Sequence, residues 1–448
     1  MTRISSKWVV MACLSIIICS TNSCLVFENT YTAIPPGPWR GILKLELNPV
    51  TPNPRGEPLP EKIGMEFEEI TEGQLPFNFD VTYVNQDSLF ITIHNGEENI
   101  ILDDIVWGRN RATGDDTIRI NFPVFDSYIR GKYMGNVIEG EWVVTNRENY
   151  RIPFVAYFGK DHRFTELSKE PTTDLTGRWA VQFGIEGDDP YPAIGEFIQS
   201  GNDLTGTFLT ETGDYRYLEG TVQGDKAYLS AFDGSHAFLF EAKINADGSL
   251  IGSFRSGSHY RTLWEAERDS EATLRDPDEL TYLKEGYDRF QVAFPNGEGN
   301  MVDLSEPPYA GKPVLVQLLG TWCPNCRDET TFLVDYLEKH PDLDVEVIGL
   351  AFERHEDPEK AFAAIETMRE KLNVPYPVLL AGPSSKDGAG EALPMLNAVI
   401  SYPTLLFLDA GHRVQRIHTG FAGPATSEYE SFKQTFAESM EQLSAPAQ

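Results

Sequence analysis

A change of hydrophobic period near residue 270 constrains this chain more than any other feature. From Trp39 to about Arg268, apolar and polar residues alternate in short, β-branched runs separated by turn residues. Further on, the apolar runs become continuous and are interleaved with helical stretches. Alternation with a period of two puts every second side chain on one face, which describes sheets buried on one side. A continuous run describes a strand covered on both sides, and with amphipathic helices between such strands it describes an α/β layer. One fold cannot satisfy both halves, so the chain reads as multidomain. Its 448 residues suffice for two to four domains at roughly 100–200 residues each.

The first β-rich stretch, residues 39–168, includes Phe77–Tyr83 and Leu89–His94. The latter precedes Asn95-Gly96, a two-residue hairpin signal because both positions tolerate positive φ. Pro171-Thr-Thr-Asp174 separates it from a second stretch, residues 175–268, with turns at Gly201-Asn202, Gly224-Asp225, Asp233-Gly234 and Asp247-Gly248. Strands spaced this closely form antiparallel barrels or sandwiches, and the pattern resembles a lipocalin- or avidin-like barrel. Trp39-Arg40-Gly41 opens one stretch and Gly177-Arg178-Trp179 the other, and Asn149-Tyr150-Arg151 echoes His259-Tyr260-Arg261, as in a tandem duplication. Residues 269–286 read as a helical linker starting at Asp276-Pro277. In residues 287–448, buried strands are expected at Val314–Leu319, Val345–Phe352 and Thr404–Leu408, with a hairpin partner at Arg413–Thr419. Helices are expected over 328–339, 358–372, 389–398 and 427–443.

The chain carries 68 acids against 37 bases, a formal net charge of −31. Such a surface repels phosphate backbones and argues against a nucleic-acid partner. It offers anionic lipid no attraction either, so membrane attachment must be covalent or inserted. The N-terminus supplies one. Arg3 and Lys7 precede the apolar run Trp8–Cys19, the form of an export signal over residues 1–23. Ser23-Cys24 follows and resembles a bacterial lipoprotein processing site. Lipidation at Cys24 is the leading reading, beside ordinary signal cleavage and a retained anchor. It makes residues 24–38 a tether on the periplasmic face of a bacterial membrane.

Five cysteines are present. Cys13 and Cys19 fall in the signal and Cys24 at its end, leaving Cys323 and Cys326 as a single Cys-x-x-Cys. The pair directly follows the strand Val314–Leu319 and opens a helix, where free N–H groups and the helix dipole stabilise a thiolate. Two intervening residues let the second sulfur attack a mixed disulfide on the first. Zinc would need four ligands, and no further cysteine or suitably spaced histidine pair exists. The Thr-x-x-Cys of peroxiredoxins is absent, since Thr321 stands two residues before Cys323. A redox-active pair is favoured over these and over a structural disulfide. Neither a metal nor a cofactor is expected.

Gly311-Lys312-Pro313-Val314-Leu315-Val316, Gly320-Thr321-Trp322-Cys323-Pro324-Asn325-Cys326 and Tyr402-Pro403-Thr404 together resemble the TlpA/ResA-like branch of thiol–disulfide oxidoreductases. The resemblance covers residues 287–445 and implies a thioredoxin fold. It implies that Cys323 attacks, Cys326 resolves, and Pro403 follows a cis peptide bond beside the sulfurs, with Trp322, Tyr402 and Thr404 lining the substrate. Glu329 matches the buried acid of ResA-like members, which relays a proton to Cys326. A solvated first-turn acid is the rival reading. Relatives that place an Asp in the central strand have their counterpart here in Gln317. The resemblance further implies protein thiols or disulfides as partners, a membrane thiol as electron donor, and net reduction. The reading from another class is a binding lipoprotein whose β domains hold a ligand while the redox domain is accessory.

Overall fold

The computed structural model describes residues 33–45 and 72–445. Cys13, Cys19 and Cys24 lie outside them. The first sheet is an antiparallel meander of nine strands. It runs from Glu98–Leu102 at one edge, through Gly37–Lys44 and Arg151–Phe158 at its centre, to Ile105–Arg109 at the other. The two edge strands are consecutive in the chain but do not pair. Nine alternating antiparallel strands give the two edges the same sense, so the chain passes from one edge to the other at Asp103-Asp104 without reversing; there Ile105 N–H donates to the Asp103 carbonyl and Asn121 N–H to the Asp104 carbonyl. The sheet is therefore a half-barrel.

The second sheet closes. Tyr191–Ser200 pairs with Gly177–Phe183 on one side and with Asp203–Thr210 on the other, completing an antiparallel barrel. Its interior is filled by aromatic side chains. Phe208 and Phe254 each stack on Phe240, with centroids 4.5 and 4.4 Å away, and Phe183 and Trp264 pack edge-on around them. The space remaining among Leu175, Phe197, Phe240 and Trp264 is about 10 Å³.

The resemblance between the two β-rich stretches extends to their hydrogen bonds. Trp39 Nε1 donates to the carbonyl four residues back, that of Pro35, and Trp179 does the same to Leu175, at 3.0 and 2.9 Å. The next or preceding arginine, Arg40 or Arg178, donates Nε to a carbonyl beyond its sheet's last strand, that of Arg163 or Ala272. The barrels also share core. Phe232 of the second sheet inserts among Phe77, Phe122 and Trp142 of the first. Gly234 makes room for this: a Cβ there would lie 2.1 Å from the Phe122 ring.

The helix expected through the linker is a single turn, Pro277–Leu280, capped by the Asp276 carboxylate. It stops because the following residues bind the C-terminal domain instead: Tyr282 N–H donates to Asn397 Oδ1 and Leu283 bridges Leu396. That domain has a five-stranded sheet in the order Val378–Pro383, Glu346–Glu353, Val314–Leu319, Thr404–Leu408, Val414–Thr419. Every residue of Val314–Leu319 is buried. Helix Pro324–Lys339 opens at the Cys-x-x-Cys as expected, ahead of its amphipathic part at 328–339: Cys323 caps it and Pro324 takes the first position, where its missing N–H costs nothing. The helix expected over 389–398 spans Lys386–Ala392 instead. Ser385 caps it, and Pro394 cannot continue it. Helices Pro358–Leu372 and Tyr429–Ser444 pack with helix Pro324–Lys339 in one apolar cluster against the sheet, through Ile365, Met368, Phe432 and Phe436.

Candidate active site

The central strand ends at Gly320, where the chain turns tightly. A Cβ at Gly320 would lie 2.4 Å from Trp322 Nε1, so only glycine lets the indole fold back to donate to the Phe352 carbonyl at 2.9 Å. Cys323 then caps the helix: its Sγ accepts from Cys326 N–H at 3.2 Å. Cys323 and Cys326 form a disulfide with Cα atoms 5.2 Å apart. Cys326 is fully buried and Cys323 nearly so.

Tyr402-Pro403 is a cis peptide bond. Cys323 Sγ lies 3.4 Å from the Tyr402 carbonyl oxygen, so the loop before Thr404 passes directly over the first sulfur. Thr404 is buried and ties the loop by donating to the Ser401 carbonyl. Tyr402 and Trp322 pack edge to face at 5.8 Å.

Glu329 is fully buried, one helical turn beyond Cys326, and does not face solvent. Gln317 Nε2 donates to its Oε2 at 2.8 Å, while Oε1 has no partner. Gln317 is held in turn by Tyr376, whose hydroxyl donates to its Oε1 at 3.0 Å. Burial pushes the Glu329 carboxyl up to about 8, against one opposing hydrogen bond from Gln317. At neutral pH this acid holds its proton.

Sequence reasoning passed over Glu353, a second buried acid at the end of the adjacent strand. Thr321 donates to it through both N–H and hydroxyl, at 2.9 and 2.7 Å, and burial raises it to about 7. A charge directly continuing the apolar run Val345–Phe352 was the signal available.

Also missed was the wall that the second barrel builds against the helix start. Asn325 Nδ2 donates to the Asp214 carbonyl at 3.1 Å, Ser235 to the Trp322 carbonyl at 3.0 Å, and Ser401 to the Thr212 carbonyl at 2.6 Å. Arg216, in the left-handed region at φ 58°, pairs with Glu98 of the first sheet, Asp233 of the second and Asp328 of the redox helix. It also reaches the Pro324 carbonyl at 3.4 Å. Burial opposes its charge, and the surrounding carboxylates more than compensate. A groove of about 410 Å³ opens beside Cys323, between Thr212, Tyr215 and His236 of the barrel and Trp322, Ser401 and Tyr402. No residue pattern foretold these contacts, since all but the Arg216–Asp233 pair join positions about 90 to 190 apart in the chain.

A buried central strand, a Cys-x-x-Cys capping the next helix and a cis-proline against the first sulfur decide the fold of this part. The C-terminal domain is thioredoxin-like. Residues 287–417 match the AhpC/TSA family. The thiol-disulfide oxidoreductases ResA of Bacillus thuringiensis subsp. konkukian and of Bacillus cereus are each 26% identical to this chain over 117 residues, 26% of this chain and 59% of theirs. The match thus spans little more than half the length of those relatives. Among solved structures, a thiol:disulfide interchange protein of Chlorobium tepidum is 18% identical, covering 35% of this chain and 96% of its own at a TM-score of 0.27. The thioredoxin domain of a thiol-disulfide oxidoreductase from Bacteroides vulgatus is 19% identical, covering 34% and 99% at a TM-score of 0.26.

Proposed function

We propose that this chain is an extracytoplasmic thiol–disulfide oxidoreductase that reduces disulfides of protein substrates through Cys323 and Cys326. The observation that carries the reading is the position of Cys323 Sγ, at a helix start and 3.4 Å from the Tyr402 carbonyl of the cis-proline loop. The helix terminus favours a Cys323 thiolate in the reduced protein. That thiolate attacks one substrate sulfur and forms a mixed disulfide, and the other substrate sulfur leaves as a thiolate that takes a proton from water. Glu329, once deprotonated, accepts the Cys326 proton. The Cys326 thiolate then attacks Cys323 Sγ; the second substrate sulfur leaves as a thiolate that takes the proton held by Glu329, and the protein is left as its disulfide. Two electrons from a membrane thiol donor restore the dithiol. In this reading Tyr402 offers its carbonyl to an extended substrate, Thr404 holds the loop, and Trp322 forms one side of the groove. Lipidation at Cys24 fixes the protein to the periplasmic face of a bacterial membrane. In the rival reading, a ligand inside the second barrel would have to displace its stacked aromatic core, which leaves the first sheet as the place for it.

The deciding measurement is the reduction potential of the Cys323–Cys326 pair together with disulfide turnover. A potential near about −270 mV or below, with insulin reduction abolished by Cys323→Ser, supports the reading; one near about −120 mV makes the protein an oxidant. Cys24→Ala should release the protein from the membrane fraction.

A further inference from the structure

Beside Trp322, Arg354 lies within electrostatic reach of a second arginine, Arg147. Arg354 follows Glu353 at the end of its strand, with its guanidinium 4.0 Å above the Trp322 ring. Arg147, in the turn after Val137–Val144 of the first sheet, lies 5.1 Å over the Tyr150 ring. The Tyr150 hydroxyl meets His259 Nδ1 of the second barrel at 3.0 Å and accepts Ser258 N–H at 3.1 Å. Tyr150 and His259 thus join the two β domains beside Arg147, and Arg354 carries the cluster's charge to the Trp322 ring.

The chain's acids elsewhere find its junction arginines. Arg163 pairs with Glu219, Arg216 with Glu98, and Arg255 with Glu72. Among the described residues, Arg147 and Arg354 have no hydrogen bond and no ion pair, although both are partly buried. Burial, then Arg147, pushes Arg354 down to about 9, against the opposing pull of Glu353 and Tyr150. Burial, then both arginines, holds His259 neutral. Glu353 is held by Thr321 and forms no ion pair with Arg354. Positive charge withdrawn from water and only partly offset is costly, and a bound anion removes the cost. Planar guanidinium forks match a carboxylate in a bidentate manner.

We propose that Arg147 and Arg354 bind a carboxylate carried by the substrate polypeptide, an Asp or Glu side chain near the disulfide presented to Cys323. This rests on the oxidoreductase reading above, with Trp322 between the carboxylate and the reacting sulfur.

The test uses the full-length protein and two disulfide peptides that differ only in an Asp or an Asn beside the cysteine. One charge-assisted contact should favour the Asp peptide about tenfold in kcat/KM. That ratio should fall to near one in Arg147→Gln and in Arg354→Gln, and persist in Arg111→Gln, which changes an exposed arginine elsewhere. A second arm needs no thiol chemistry. Sodium succinate should raise the melting temperature of the wild type beyond sodium chloride at equal ionic strength, and fail to do so in both Gln variants. Turnover of both peptides at equal efficiency by the wild type would overturn the site and leave the oxidoreductase reading intact. No turnover of either peptide would refute the oxidoreductase reading and with it the substrate assignment. Succinate protection without a peptide preference would assign the arginines to a free carboxylate and overturn the substrate claim.

Discussion

Replacing Glu329 by glutamine should stabilise the folded protein at pH 8 and leave it unchanged near pH 4. Glu329 is fully buried with one hydrogen bond, and its carboxyl titrates near 8 where an exposed one titrates near 4.5. The folded state therefore keeps a proton that the unfolded chain has released across that interval. Stability is full below pH 4.5 and falls as pH rises toward 8. At about 1.4 kcal/mol for each pH unit, the loss between pH 4.5 and pH 7 is about 3 kcal/mol. Glutamine has the shape of the protonated acid, accepts the same hydrogen bond from Gln317, and does not titrate. Chemical unfolding of the oxidised wild type and of Glu329→Gln, followed by tryptophan fluorescence across this range, should give curves that diverge with rising pH in favour of the variant. In single turnovers the variant should form the mixed disulfide at the normal rate and resolve it slowly. A stability difference independent of pH, or one that grows toward acid, would refute the buried-acid reasoning and remove Glu329 from the proton path.

Cys326→Ser should accumulate a mixed disulfide with substrate on Cys323, and Cys323→Ser should not. Mass spectrometry of the trapped adduct identifies the sulfur, and a partner found on Cys326 reverses the assigned roles. Arg216→Gln leaves Glu98, Asp233 and Asp328 without their shared cation and should lower unfolding free energy by about 3–5 kcal/mol, read from denaturant midpoints. Residues 287–448 expressed alone contain the whole sheet and both thiols, and should fold and reduce insulin. Without the barrel wall the fragment should be less selective than the full chain among disulfides of different bulk, as competition assays would report.

What was legible in the sequence was local. The run Val314–Leu319, the capped Cys-x-x-Cys and the Tyr402-Pro403-Thr404 segment each carry their signal within a few residues, and the structure brings them into contact. The helix expected over 389–398 was misplaced because the Ser385 cap outweighed the hydrophobic period and begins it upstream of the first apolar stripe. Glu329 was ambiguous because a first-turn acid and a buried acid occupy the same place on a helix. Only the packing of Gln317 and Tyr376 against it separates them. The open seam of the first sheet and the Arg216 junction were illegible, because both depend on which distant strands meet. Period-two alternation shows that a strand has a buried face without naming its neighbour.

The filled interior of the second barrel has a mechanical side. Packed aromatic cores are nearly incompressible and transmit displacement instead of absorbing it. The rim segments bearing Thr212, Asp214, Arg216 and Ser235 are thus anchored to a stiff body at one end and to the redox helix at the other. A substrate pressing into the groove meets a wall that does not yield, and the load passes through Arg216 and Ser235 to the first turn of the helix carrying Cys323 and Cys326. Hydrostatic pressure should have little purchase on this barrel, because the volume change on unfolding scales with internal void, and the cavity among Leu175, Phe197, Phe240 and Trp264 is only about 10 Å³.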